Sequence, residues 1–224
     1  MSKAQTIIRA TLTILLLLAF LFVPAGTFNW PEAWIFLLLY FTIVSGVLLW
    51  LKKNSPGLLK ERTAPKKDYK SWDKIIMIAY TLLVIALLVV TGFDAKRFGW
   101  SDVPLLVKVL GFIGYLPAIG FAFWAMLKNA YASNVVRIQE DRGHKVCTTG
   151  PYRFVRHPMY VGVILALICI PLSLGSYYAL ILSALTIILF ILRTSLEDKT
   201  LQDELSGYKE YAQKVRYRLF PGIW

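Results

Sequence analysis

Apolar residues fill this chain in long blocks, without the short alternation of a half-buried strand or surface helix. The blocks run from Ile7 to Val23, Ala33 to Leu51, Lys74 to Phe93, Val103 to Leu127 and Met159 to Leu192. A bilayer core about 30 Å thick takes about 20 residues of helix, so each of the first four predicts one spanning helix. The fifth holds 34 residues, enough for two short helices, and Pro171 with Gly175 marks the turn between them. The pattern predicts an all-α, polytopic membrane protein of about six transmembrane helices, the last two forming a hairpin. Beyond Ser195, Leu201, Leu205, Tyr208, Ala212 and Val215 recur at helical spacing with charges between them. That predicts an amphipathic stretch, broken at Gly207 into two short helices, lying on the cytoplasmic surface over the loop before Tyr160. The apolar, turn-rich end from Leu219 to Trp224 is expected to pack.

Composition agrees with the pattern: 57% of residues are hydrophobic and 17% charged, too apolar for an ordinary soluble domain. The formal charge of +12 invites a nucleic-acid partner, and the placement of the cations argues against one. Two (Lys3, Arg9) lie before or within the first block, none in the first loop, and seven between Lys52 and Lys70. The next loop has Lys96 and Arg97 beside Asp94 and Asp102; six follow from Lys128 to Arg156 and six after Leu192. Rich and poor segments alternate, as the positive-inside rule requires, with both termini cytoplasmic. The excess is a topology signal with some attraction to anionic lipid.

Met1 to Gly26 has the charge and apolar order of a secretory signal, but Pro24 suits a cleavage region badly, and losing this helix would put one basic terminus on the wrong side. Cys147 and Cys169 are expected to be free thiols, and with only His144 and His157 the spacings match no common metal-ligand pattern. Gly111, Gly114, Ala118, Gly120 and Ala122 recur at spacings of three and four; such a stripe admits close helix packing, or room for an apolar ligand. Lys108 lies near enough to the outer end of its helix to snorkel. The chain divides into residues 1–102, three helices with a basic surface connector from Lys52 to Asp73 and little chemistry beyond hydrophobicity, and residues 103–224, the candidate catalytic module.

Chemistry concentrates at the mouth of the hairpin. Gly150-Pro151-Tyr152-Arg153-Phe154-Val155-Arg156-His157-Pro158-Met159-Tyr160 precedes it, and Arg193 and Glu197 close it. Arg193 and Glu197 are four apart and share a helix face. They form either a plain ion pair or, if the hairpin closes, one wall of a pocket holding cations, a carboxylate, an imidazole and aromatic faces. Each residue has a bland reading too: Pro158 as a first-turn proline, Tyr152 and Tyr160 as interfacial aromatics, the arginines as topology signals. Their joint occurrence carries the argument for a pocket suited to a zwitterion.

His144 to Tyr152, then Arg156-His157-Pro158-Met159-Tyr160, then Arg193 and Glu197, resemble the isoprenylcysteine carboxyl methyltransferase family of integral membrane enzymes. The likeness runs without gaps from about Val135 to Tyr160 and resumes from Arg193 to Pro221. It implies S-adenosyl-L-methionine as methyl donor, with His144, Lys145, Val146, Cys147, Tyr152, His157, Pro158, Met159 and Tyr160 at donor-contacting positions. Glu197 would hold the donor's ammonium group and Arg193 the acceptor's carboxylate. Arg137, where eukaryotic members carry glutamine, would be a further donor contact. This chain departs from the family pattern at Lys199, which follows Glu197-Asp198 where another acid is frequent.

The implied reaction has a carboxylate oxygen attack the methyl of a sulfonium. Charge disperses along the path, so exclusion of water and alignment help while no general base is needed. His157 then reads as a binding residue. A lipophilic acceptor would come from the bilayer and the donor from the cytoplasm; a prokaryotic plasma membrane is favoured over endoplasmic reticulum. Competing readings are a phospholipid-amine or thiol methyltransferase, a sterol-type membrane reductase using NADPH, and a non-catalytic membrane scaffold or carrier.

Overall fold

The computed structural model describes residues 3–64 and 69–224. Of the basic connector, Pro65, Lys66, Lys67 and Asp68 lie outside the described residues, as do the side chains of Lys3 and Arg9. The described residues form helices and no strand. These are α1 (Lys3–Ala25), α2 (Pro31–Asn54), α3 (Pro56–Thr63), α4 (Ser71–Gly92), α5 (Leu105–Lys128), α6 (Pro158–Leu174), α7 (Ala179–Glu204) and α8 (Tyr208–Lys214). A π-helical turn, Phe93–Phe98, extends α4, and two 3₁₀ turns, Glu140–Arg142 and Gly150–Arg153, lie in the loop between α5 and α6.

Four helices are long and apolar enough to cross a bilayer: α2, α4 with its π extension, α5 and α7. Among the helices, α6 is shorter; its 17 residues rise about 25 Å, against a core of about 30 Å. The chain is an integral membrane protein by its outer surface as well. Ile75, Leu82, Leu105, Leu110, Ile181 and Ile188 all face outward, a surface that water would penalise and hydrocarbon accepts.

The 34-residue run divides where expected, by a mechanism that assigns its two markers different roles. Gly175 adopts φ +89°, its N–H donating to Leu172 O (3.2 Å) and that of Ser176 to Pro171 O (2.9 Å), the paired bonds of a Schellman cap. Pro171 stays within the last turn of α6. Close packing also wins over a ligand gap on α5. A Cβ on Gly111 would lie 2.6 Å from Ser173 N, and one on Gly114 3.0 Å from Cys169 Sγ, whereas Gly120 meets nothing within 4 Å. The tightest approach comes from the facing helix: at Gly162 a Cβ would lie 2.5 Å from Ala118 O and 2.6 Å from Ala122 N.

Several expectations change. The connector contains a helix, α3. Lys108, near the start of α5, donates to Glu32 Oε1 (2.8 Å) in the first turn of α2. The polar stretch after Ser195 begins as a direct continuation of α7, because nothing before Leu205 interrupts the helix; only α8, after Gly207 at φ +80°, is separate. Leu205, Tyr208 and Tyr211 pack with Ile138 and Val146, so this segment does cover the loop. Leu219 is buried, and Arg218 lies over the Trp224 ring at 4.8 Å.

Gly162→Ala should lower stability by about 1–3 kcal/mol, the usual cost of overpacking, despite alanine's better helix propensity. Gly120→Ala should leave stability unchanged or slightly raised. Thermal unfolding of the two variants in detergent checks both.

Candidate functional site

Residues 129–157 leave the end of α5 and return to the start of α6 with little regular structure, so side chains must satisfy the backbone. Gln139, 1% exposed, does much of this: its amide donates to Tyr131 O (2.7 Å) and its carbonyl accepts from Arg142. Gly150 (φ +60°) lies where a Cβ would come 2.7 Å from Lys128 Cγ. The chain then enters α6 with His157 at the cap and Pro158 in the first turn, where a missing N–H costs nothing.

Two buried carboxylates organise the side chains around this entrance. Asp198 on α7 is wholly out of water and accepts from Arg156 Nε (2.7 Å) and Nη2 (3.0 Å), Gln202 Nε2 (2.8 Å), Arg218 Nε (2.9 Å) and Tyr208 Oη (3.1 Å). His157 Nε2 lies 3.2 Å from the same group. Backbone bonds from Arg156 to Tyr217 O and from His157 to Arg218 O, both 2.9 Å, bind the C-terminal segment to the hairpin mouth.

The second carboxylate, Asp73 in the first turn of α4, is also fully buried. Its oxygens accept from Arg193 Nε (2.8 Å) and Nη2 (3.3 Å), and from the backbone N–H of Val136 (2.8 Å). Arg193 donates further to Asn134 O (3.1 Å) and Tyr160 Oη (2.6 Å), and Tyr160 donates to Glu197. Arg193 and Glu197 therefore meet through a phenol, and the charge pairing of Arg193 runs to another helix.

Between these anchors lies an open concavity whose empty space, mouth included, is about 750 Å³. Arg137, His144, Lys145, Val146, Cys147, Tyr152, His157, Met159, Tyr160 and Glu197 all line it. Pro158 is buried in the first turn of α6, outside the lining. Arg193 is also outside the lining, one residue behind the wall through Tyr160. The lining adds residues that the sequence reading missed, among them Tyr131, Gln139, Tyr208 and Tyr211.

The lining includes one carboxylate, Glu197, and the cations Arg137, Lys145 and Arg156. Arg156 is spent on Asp198. Arg137 donates to Glu61 (3.1 and 3.4 Å) and Asp141 (3.2 Å), and the Glu61 hydrogen bonds raise its pKa. The first hundred residues thus contribute more than hydrophobicity: Glu61 from α3 and Asp73 from α4 hold two arginines of the loop and hairpin. Neither stood out in sequence, since an acid in a basic connector or in a helix's first turn has ordinary explanations. Burial pushes the phenols of Tyr152, Tyr208 and Tyr211 up, so they stay neutral; the Tyr152 hydroxyl accepts from Asn129 Nδ2 (3.3 Å) and that of Tyr208 donates to Asp198. Tyr211 donates to Tyr152 O (2.7 Å).

The His144 ring lies against that of Tyr131, centroids 4.5 Å apart and tilted by 34°, and its Nδ1 accepts the Gln139 N–H (3.3 Å). Burial, with Arg142 and Arg137 nearby, pushes its pKa down to about 4. Because the folded value lies below that of the unfolded chain, about 6.5, acid protonates the unfolded state first. Stability should therefore fall as pH drops from about 6.5 toward 4. His144→Asn, which keeps the acceptor, should flatten this part of a melting-temperature profile.

Comparison with known proteins finds no curated relative of the chain. A family model does match, that of the isoprenylcysteine carboxyl methyltransferase (ICMT) family, over residues 110–203. That span holds most of α5, the whole loop, α6 and nearly all of α7, and with them the cavity lining up to Leu201. Through the segment that builds its cavity, the chain is similar to the isoprenylcysteine carboxyl methyltransferase family.

Proposed function

We propose that the protein transfers a methyl group from S-adenosyl-L-methionine to the carboxylate of a lipid-like acceptor, of isoprenylcysteine type, at the cytoplasmic boundary of the membrane. One observation carries the reading. Residues scattered from Arg137 to Glu197 line a single cavity, formed where α5 ends, α6 begins and the apolar part of α7 gives way to polar residues.

The donor set fits such a zwitterion. An ammonium group removed from water requires an anion, and Glu197 is the carboxylate of the lining. Lys145 is available to a carboxylate, and the neutral His144 and the aromatic faces of Tyr131 and Tyr152 suit a flat heterocycle. When bound, S-adenosylmethionine supplies a methyl on a positively charged sulfur. The chain's own residues then have three tasks: Glu197 orients the donor's amino end, Tyr160 and Arg193 face the acceptor's carboxylate, and the covering segment Leu205 to Tyr211 excludes water. Arg193 has four N–H bonds engaged by described residues, which leaves one of its five donors, on Nη1, for the acceptor. A planar fork already held in place loses little freedom on binding a carboxylate.

The cation pattern supports six spans, α1 and α6 included, with both termini and the cavity mouth on the cytoplasmic side. A prokaryotic plasma membrane remains the favoured location. Residues 103–224 would form the catalytic module, since all lining residues lie beyond Lys128, and residues 1–102 would brace it through Glu61 and Asp73. The acceptor would reach the mouth from the bilayer.

Purified protein in detergent should bind S-adenosylmethionine saturably, and Glu197→Gln should weaken binding at least about tenfold, the scale of one charged hydrogen bond. Binding of NADPH and none of S-adenosylmethionine would overturn the proposal in favour of a reductase. With a prenylated cysteine as acceptor, Arg193→Gln should lower carboxyl methylation about 10- to 100-fold. Equal turnover by variant and wild type would remove the carboxylate from consideration and point to an amine or thiol acceptor.

A further inference from the structure

Arg193 and Glu197 lie one helical turn apart on α7, the spacing at which opposite charges on a helix meet directly. In the structure they do not. Arg193 is turned onto Asp73 of α4, with Nε at 2.8 Å and Nη2 at 3.3 Å, and the Tyr160 hydroxyl stands between it and Glu197. Asp73 is 0% exposed and 120 residues distant in sequence. Its remaining contact, the Val136 N–H at 2.8 Å, holds the loop beside the lining residues Val135 and Arg137.

We propose that Asp73 is a positioning residue that keeps Glu197 free for the methyl donor by engaging Arg193. Without a competing carboxylate, the Arg193 guanidinium would swing along α7 onto Glu197, neutralise it and occupy the place of the donor's ammonium group. The pairing also fixes Arg193 for the acceptor, so one carboxylate on α4 sets both ends of the reaction. This inference rests on the methyltransferase reading above, and concerns a residue that touches neither substrate.

The test is the affinity for S-adenosylmethionine of full-length wild type, Asp73→Asn, Arg193→Gln and the double variant. Asp73→Asn should bind at least about tenfold more weakly, and adding Arg193→Gln to it should restore affinity to within about threefold of wild type. A residue serving stability alone would not be rescued by losing a second partner. If Asp73→Asn fails to fold, the comparison of the double variant with Arg193→Gln decides, because both lack the buried arginine charge. Equal affinities are expected, and a tenfold loss in the double variant overturns the proposal, as does wild-type affinity in folded Asp73→Asn. Wild-type protein that binds no S-adenosylmethionine would instead overturn the methyltransferase reading on which this one rests, and this one with it.

Discussion

A carboxylate removed from water must be met by donors within the protein, because an uncompensated buried charge costs several kcal/mol. Asp198 is the place where this requirement shapes the molecule. Its two oxygens collect Arg156 and His157 from the hairpin mouth, Gln202 from its own helix, Tyr208 from α8 and Arg218 from the C-terminal segment. Four stretches of chain converge on one side chain, and the covering segment, the entrance to α6 and the end of α7 keep their places through it. The cavity is the space left inside that convergence.

Asp73 repeats the arrangement on α4, with consequences of another kind. Buried ion pairs are weak sources of net stability, and their best-attested use is to specify one arrangement among several. Here the alternatives are concrete, since Arg193 has an acid four residues away on its own helix and another across the bundle, and the structure selects the second. Glu61 acts in the same way on Arg137. The helices that carry no lining residue therefore still decide which lining charges are spent and which remain available.

The proposed chemistry asks for no proton transfer. A carboxylate nucleophile is ionised already, and a displacement that joins opposite charges gains from a dry, aligned setting. His144 is held neutral, the phenols are held protonated, and His157 is committed to Asp198. In the proposed reaction these groups bind and orient.

Much of this was legible in the chain itself. Long apolar blocks determine helices because backbone groups in hydrocarbon have no other partners. Gly175 was readable as a turn, since a left-handed residue after a helix favours glycine. Ten of the eleven residues assigned to the donor line the cavity, because they cluster within two short segments flanking one hairpin. The tertiary structure alone decided the rest. Gly162 matters through the backbone of α5, Arg193 through an acid 120 residues away, and Asp198 through donors from four segments. Hydrophobic periodicity is local and survives in a linear pattern, whereas the pairing of buried charges depends on which helices become neighbours, and no spacing along the chain encodes that.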